Sequence, residues 1–243
     1  MNTPRGFLVT ASLVFATAAA WIGGSSGEET NIRLAQAQNS RGASPDAQPP
    51  VQPKSKVLPS DSSKASSLSL LSENELGKWR QCGPGKFTVA KGVATGEGGM
   101  GLWWYTGRQF TNFVLRGEFI QEQPIADSGV FLRFPDPKDD PWNAVRQGHE
   151  MEIGDPEPKD PTWRTGSIYP FQASTNDNTF PPGSWNKYEI TCIGQSYTVR
   201  MNDVLILTWV DPKARTSSGY VGLQNYNDGK TVRHRNLRIE DLP

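Results

Sequence analysis

Between Asp127 and Tyr169 the chain reads D-S-G-V-F-L-R-F, then G-H-E-M-E-I-G-D, then T-G-S-I-Y, its densest set of groups able to move protons. Side chains alternate faces along an extended strand, so Glu150 and Glu152 share one face while Met151 and Ile153 take the other. The strand rise sets the two acidic residues about 6.6–7 Å apart, a spacing at which carboxyl pairs act on glycosidic bonds. By the same alternation Val130 and Leu132 point one way and Phe131 and Arg133 the other, which predicts a cation and an aromatic ring beside the acids. Such a face supports general acid–base chemistry. Joined by Asp155, the same acids form a set of hard oxygen ligands that suits a divalent cation, although the regular spacing of a cation-binding loop is missing. Each residue also has a plainer use: Arg133 neutralising Glu150 on a sheet face, Glu152 facing solvent, Asp155 shaping a turn before Pro156.

These residues need strands to hold them. Aromatic and β-branched residues recur in short runs separated by Gly, Pro, Asn and Asp, at 87–93, 101–105, 113–120, 128–134, 149–153, 167–169, 185–193, 197–201, 204–210, 220–225 and 232–239. No stretch reads as a helix. Asn202-Asp203 and Gly194-Gln195 each sit between two runs and are expected to be tight hairpin turns. Many short strands with regular turns predict an all-β fold, a jelly-roll sandwich of two antiparallel sheets, over residues 72–243. Before it, residues 1–24 combine a short basic start, an apolar run and small residues. They are expected to be a signal peptide or an N-terminal anchor, which places the domain outside the cytoplasm, in the periplasm or secreted. Residues 25–71 are rich in Ser, Ala, Gln and Pro without apolar periodicity and are expected to be a disordered tether.

Composition excludes several functions. The 25 basic and 25 acidic residues balance to zero net charge, so nothing favours a nucleic acid partner. Membrane contact is expected only through the N-terminal segment. With two histidines, one of which (His149) faces away from Glu150, a Ser-His-Asp triad or a histidine-rich zinc site finds no support. No glycine-rich phosphate loop is present. No cofactor is expected, the divalent cation above being the one alternative. Cys82 and Cys192 are either a disulfide or two separate buried thiols. Among the eight tryptophans, Trp104 alternates to the opposite face from Trp103 and Tyr105, and Trp142 and Trp163 fall in loops beside the acidic strand. Rings so placed stack on the apolar faces of sugars, whereas Trp79, Trp103, Trp185 and Trp209 read as core.

The ordered segments G-P-G-K-F-T-V-A-K-G-V, G-G-M-G-L-W-W-Y, F-V-L-R-G-E-F, D-S-G-V-F-L-R-F-P-D-P, G-H-E-M-E-I-G-D, R-T-G-S-I-Y, P-P-G-S-W-N-K-Y-E-I and G-Y-V-G-L-Q-N resemble the 3-keto-disaccharide hydrolase domain family, which has the concanavalin A-like lectin/glucanase sandwich. The resemblance implies a saccharide ligand or substrate, and in known cases 3-keto glycosides. A carbonyl at C3 acidifies the hydrogen at C2; a base removes it, the C1 substituent leaves, and water adds to the enone. For that route Glu150 is the candidate base, Arg133 the enolate stabiliser and Tyr169 the proton donor, with Glu152, Asp155, Trp104, Trp142, Trp163, Gln224 and Asn225 as candidate sugar contacts. A noncatalytic glycan-binding module stays open beside this reading, since one fold serves both. So does a glucanase, because E-x-E-x-x-D resembles the E-x-D-x-x-E strand of such enzymes. Against the pattern of the family it resembles, the chain has Asp127 for Asn, His149 for Tyr, Glu152 for Gln, and Tyr226 where His is frequent.

Overall fold

The computed structural model describes residues 67–123, 126–154, 159–175, 180–226 and 230–243. The expected signal segment, all of the tether up to residue 66, and Asp155 lie outside the described residues. Two antiparallel sheets pack face to face, as alternation predicts. One has eight strands, in the order β12 (Val204–Val210), β11 (Ser196–Met201), β10 (Asn186–Ile193), β6 (Phe113–Gln121), β14 (Val232–Asp241), β4 (Val93–Glu97) and β3 (Lys86–Ala90), with β1 (Leu68–Ser69) also paired to β14. The other has six, in the order β2 (Trp79–Cys82), β5 (Gly101–Phe110), β13 (Gly219–Asn225), β7 (Ser128–Phe134), β8 (His149–Ile153) and β9 (Ile168–Tyr169). The apolar run Leu68-Ser69-Leu70-Leu71 explains why the sandwich takes in residues before Ser72: β1 pairs with Ile239 and Arg238, and Leu70 and Leu71 are buried.

Between the sheets lies one core. Val130 and Leu132 of β7, Met151 and Ile153 of β8, and Leu115 and Phe119 of β6 all enter it. Each such fully buried side chain contributes about 1.5–3 kcal/mol by leaving water. Trp103 is stacked between Trp79, at 4.0 Å between ring centroids, and Phe87, at 5.4 Å, while the Trp79 indole N–H donates to the Leu70 carbonyl at 2.8 Å. Both tryptophans are therefore core, as expected.

Turn chemistry sets the register. Asn202 and Asp203 both take positive φ (48° and 71°) between β11 and β12, and Gly194 does so (53°) between β10 and β11; both expected hairpins form. The run at 87–93 is in fact a hairpin too. Lys91 and Gly92 adopt φ of 51° and 74° and separate β3 from β4. Short helices do occur, at Glu73–Leu76 and Trp142–Gln147, with a 3-10 turn at Pro161–Trp163. They escape periodicity because none exceeds two turns. No helix among the described residues is long and apolar enough to cross a membrane. Cys82 and Cys192 are separate buried thiols, Cys192 in the inter-sheet core and Cys82 in a second cluster on the outer face of the six-stranded sheet.

Candidate functional site

Cross-strand pairing lines up two rows of residues on that outer face. One runs Trp104, Gly222, Phe131, Glu150, Tyr169; the other runs Leu102, Gln224, Gly129, Glu152. The helix Trp142–Gln147 packs on β7 and β8, and Ala144 joins Leu102, Trp104, Phe131 and Phe134 in a buried apolar cluster. The polar end of the rows stays open. There Asp127, Glu150, Glu152, Gln224 and Tyr169 line a cavity of about 340 Å³, with Trp142, Trp163 and Tyr226 at its mouth. Trp142 and Trp163 are 41% and 53% exposed, and Trp142 meets the Tyr226 ring edge-on at 5.7 Å.

Two glycines make room for the acids. A Cβ on Gly129 would collide with the Glu150 carboxyl, and a Cβ on Gly154 would come within 2.8 Å of Glu152 Oε1. Glu150 therefore folds over Gly129, whose strand neighbours are Glu152 and Gln224. Glu150 is 2% and Gln224 7% exposed, and among the described residues neither Glu150 Oε1 nor Gln224 Oε1 has a hydrogen-bond partner. Buried acceptors without donors are rare because each costs roughly 1–3 kcal/mol. Both line the cavity, so a hydroxyl-bearing ligand would satisfy them.

Burial dominates the electrostatics. It pushes the Glu150 carboxyl well above its ordinary range, helped by the charge of Asp127. Glu152 is raised by burial and by both Glu150 and Asp127. Asp127 is pushed up to about 6 by burial, with the Lys230 charge pulling the other way. Tyr169 is raised, first by burial, against a hydrogen bond with the Trp163 side chain. Burial thus favours the protonated form of Glu150 and Glu152, while Asp127, less buried and acted on by Lys230, is the member best able to carry the charge. No group of three or more His, Cys, Asp or Glu among the described residues is arranged to hold a metal ion.

The structure brings together Glu150, Glu152, Tyr169, Trp142, Trp163 and Gln224 and separates three expected partners. Arg133 is a correction. It takes φ of 52°, and in the β7–β13 ladder Leu132 pairs with Val221 and Phe134 with Tyr220, leaving Arg133 as the bulged extra residue. The bulge resets alternation, turning Arg133 to the inter-sheet side. There its guanidinium donates to the carbonyls of Thr111 and Gly194 and approaches the Tyr197 hydroxyl at 3.4 Å. Trp104 shares the row of Glu150 but is sealed in the apolar cluster, and lines no part of the cavity. Asn225 faces inward, where its amide donates to the carbonyls of Gly98 (2.6 Å) and Gly99 (3.0 Å) and ties down the β4–β5 connection. Trp142 opens a short helix rather than sitting in a loop. His149 does face away from Glu150, bonded to Tyr197 and Asp211.

Missed by sequence reasoning as site residues were Asp127, Gly129, Gly154 and Tyr226. The D-S-G segment carried a signal: Asp127 reaches the cavity, Ser128 turns inward to donate to the Gln224 carbonyl (2.6 Å), and Gly129 clears space for Glu150.

Solved structures share this architecture. A crystal structure named "Putative glycosyl hydrolase from Parabacteroides distasonis ATCC 8503" is 21% identical, with a TM-score of 0.62 over 73% of this chain and 100% of that one. A second so named from the same organism is 17% identical, TM-score 0.59, over 73% and 94%. A carbohydrate binding module (CBM66) from Bacillus subtilis is 12% identical, TM-score 0.50, over 68% and 96%. At these identities they establish the fold alone. No curated protein matches the sequence. Residues 67–240, which carry every strand but the last residue of β14 and all of the cavity, match the 3-keto-alpha-glucoside-1,2-lyase-like domain, and the chain belongs to that family.

Proposed function

We propose that this domain is a carbohydrate-active lyase or hydrolase that cleaves 3-keto glycosides by removing the C2 proton, releasing the C1 substituent and adding water to the enone. One observation carries the reading. Glu150 holds a partnerless carboxyl oxygen at the floor of a cavity of about 340 Å³, at the small end of the size range of small-molecule sites. Family membership and the exposed aromatic rings at the mouth point the same way. With Arg133 committed elsewhere, no basic side chain lines the cavity among the described residues. Charge building on the C3 oxygen is then met by a neutral carboxyl, since a buried acid kept protonated donates a strong hydrogen bond to an enolate. Burial favours that state in Glu152, and Tyr169 is a further donor. A glucanase built on the E-x-E strand needs Glu150 or Glu152 ionised as nucleophile or base, and burial of both glutamates speaks against that use of the strand. Export through residues 1–24 belongs to the same proposal.

A noncatalytic glycan-binding module is the second reading, favoured by Trp142, Trp163 and Tyr226 at the mouth. Incubating the protein with a 3-keto disaccharide and with the parent disaccharide, with and without chelator, separates the two. Cleavage of the keto sugar alone is expected, and Glu150→Gln should lower the rate by about 10²-fold or more while sugar binding persists. Binding of both sugars with cleavage of neither would establish the module instead.

A further inference from the structure

The reaction needs two opposite protonation states in one small cavity, a base that is ionised and an acid that is not. We propose that Asp127, at the head of the D-S-G segment, is the proton-accepting catalytic residue and that Glu150 is its proton-donating partner. This assignment rests on the lyase reading above and divides the labour within it.

Geometry separates the two carboxyls into unlike environments. Glu150 is 2% exposed, lies over Gly129 where a side chain would collide with it, and has an oxygen without a partner. Asp127 precedes β7 at the same end of the cavity and is only partly buried, so water reaches it. Among the described residues, the charged and titratable groups facing Asp127 are Lys230 on the β13–β14 connection and Glu150 and Glu152 on β8, with Tyr169 of β9 also lining the cavity. Lys230 favours the ionised form of Asp127, and no such cation acts on Glu150. Two like charges this close are unfavourable together, so the proton resides on the drier member. Gln224 Oε1, the other partnerless acceptor, is left to a sugar hydroxyl.

The step balances without any added reactant. Asp127 takes the C2 proton of the keto sugar, and the C2–H electron pair is held as the enolate with the C3 oxygen; that pair then forms the C1–C2 double bond as the C1–O bond breaks. The departing oxygen keeps that bond's electrons and takes the Glu150 proton. Asp127 is now neutral and Glu150 ionised. In the return half, Glu150 removes a proton from water as its oxygen bonds to C1, and Asp127 gives its proton back to C2. Both carboxyls end as they began.

Two readouts isolate the two roles in the intact protein: exchange of the C2 hydrogen of a 3-keto glucoside in heavy water, and cleavage of its methyl and nitrophenyl glycosides. Asp127→Asn should lose C2 exchange and cleavage of both glycosides by about 10²-fold or more. Glu150→Gln should retain C2 exchange and lose methyl glycoside cleavage, and it should recover much of the rate on the nitrophenyl glycoside, whose leaving group needs no proton. Wild-type kcat/KM should fall below pH 6 along an acid limb that Asp127→Asn abolishes in its residual activity. Retained sugar binding, read from tryptophan fluorescence, shows that each variant is folded. Exchange and cleavage that survive in Asp127→Asn would overturn the assignment while leaving the lyase reading intact. A folded wild type that binds the keto sugar but neither exchanges nor cleaves it would overturn both.

Discussion

His149 and Glu150 are neighbours on β8, and their side chains enter two buried polar clusters on opposite faces of one sheet. In the inner cluster around His149 every charged group is answered. His149 bonds Tyr197 at 3.0 Å and Asp211 at 3.1 Å, Asp211 accepts from Arg215 at 2.5 Å and from the backbone N–H groups of Lys213 and Arg215, and Arg133 is held by two carbonyls. On the outer side Glu150 and Gln224 each keep an acceptor with no partner. Both clusters are about equally dry, so burial alone does not mark a site. The distinguishing property is completeness: a satisfied buried network specifies structure, and an incomplete one waits for a ligand to finish it.

Breaking the complete cluster should give the largest effect. Arg133→Ala strips donors from the Thr111 and Gly194 carbonyls and leaves a cavity beneath Phe113 and Tyr197. An unfolding free energy lowered by about 3–4 kcal/mol is expected from urea denaturation, with turnover per folded molecule unchanged. A variant that is stable but inactive would return Arg133 to the reaction.

That residue also shows where sequence stops being informative. Alternation correctly divided Glu150 and Glu152 from Met151 and Ile153, and Val130 and Leu132 from Phe131, because a sheet with one face on the core leaves no choice of register. The strand bounds at 128–134, 149–153 and 204–210 were legible for the same reason. Arg133 failed because a bulge with positive φ at a non-glycine residue has no compositional mark; only pairing with β13 shows that one residue is extra. Trp104 failed differently, since its face was right but the six-residue helix W-N-A-V-R-Q that covers it is too short to show a period. The glycines beside the acids were unread because a vacancy is defined by what a neighbouring strand puts into it.

The two clusters should also respond oppositely to pH. Burial pushes Asp211 up, but the backbone donors, His149 and Arg215 outweigh it and bring the carboxyl down to about 2. A depressed carboxyl stabilises the fold above its unfolded pKa of about 3.9, and that contribution is lost as pH falls toward 2. Asp127, raised to about 6, runs the other way: its contribution is present below about 4 and is lost as pH rises through 6. Buried His234, lowered to about 3, adds to the acid-side loss between about 6.5 and 3, so differences against variants are needed. Relative to Asp127→Asn, wild type should lose about 2 kcal/mol of stability between pH 4 and 7, whereas relative to Asp211→Asn it should lose stability only below pH 4. Parallel pH profiles for the two variants would show that the clusters are not electrostatically distinct.

The smallest effect tests whether the open cluster continues to its aromatic mouth. Trp163 ends the Pro161–Trp163 turn, which Asp160 caps by accepting from the Thr162 N–H at 2.9 Å, and more than half of its side chain faces solvent. Little packing is lost on truncation, so Trp163→Ala should change stability by no more than about 0.5 kcal/mol, whereas Trp103→Ala, in the stacked core, should cost about 3–5 kcal/mol. If the Trp163 ring stacks on the sugar portion that stays outside the cavity, Trp163→Ala should weaken disaccharide binding by about 0.5–1.5 kcal/mol, which is roughly 2- to 12-fold. A monosaccharide that fits inside the cavity should bind as before. The change should appear in KM with kcat held, because a contact remote from C1 and C2 is made equally before and during bond breaking. Equal loss for monosaccharide and disaccharide would place Trp163 against the buried ring instead, and an unchanged KM for both would confine the site to the carboxyls and Gln224.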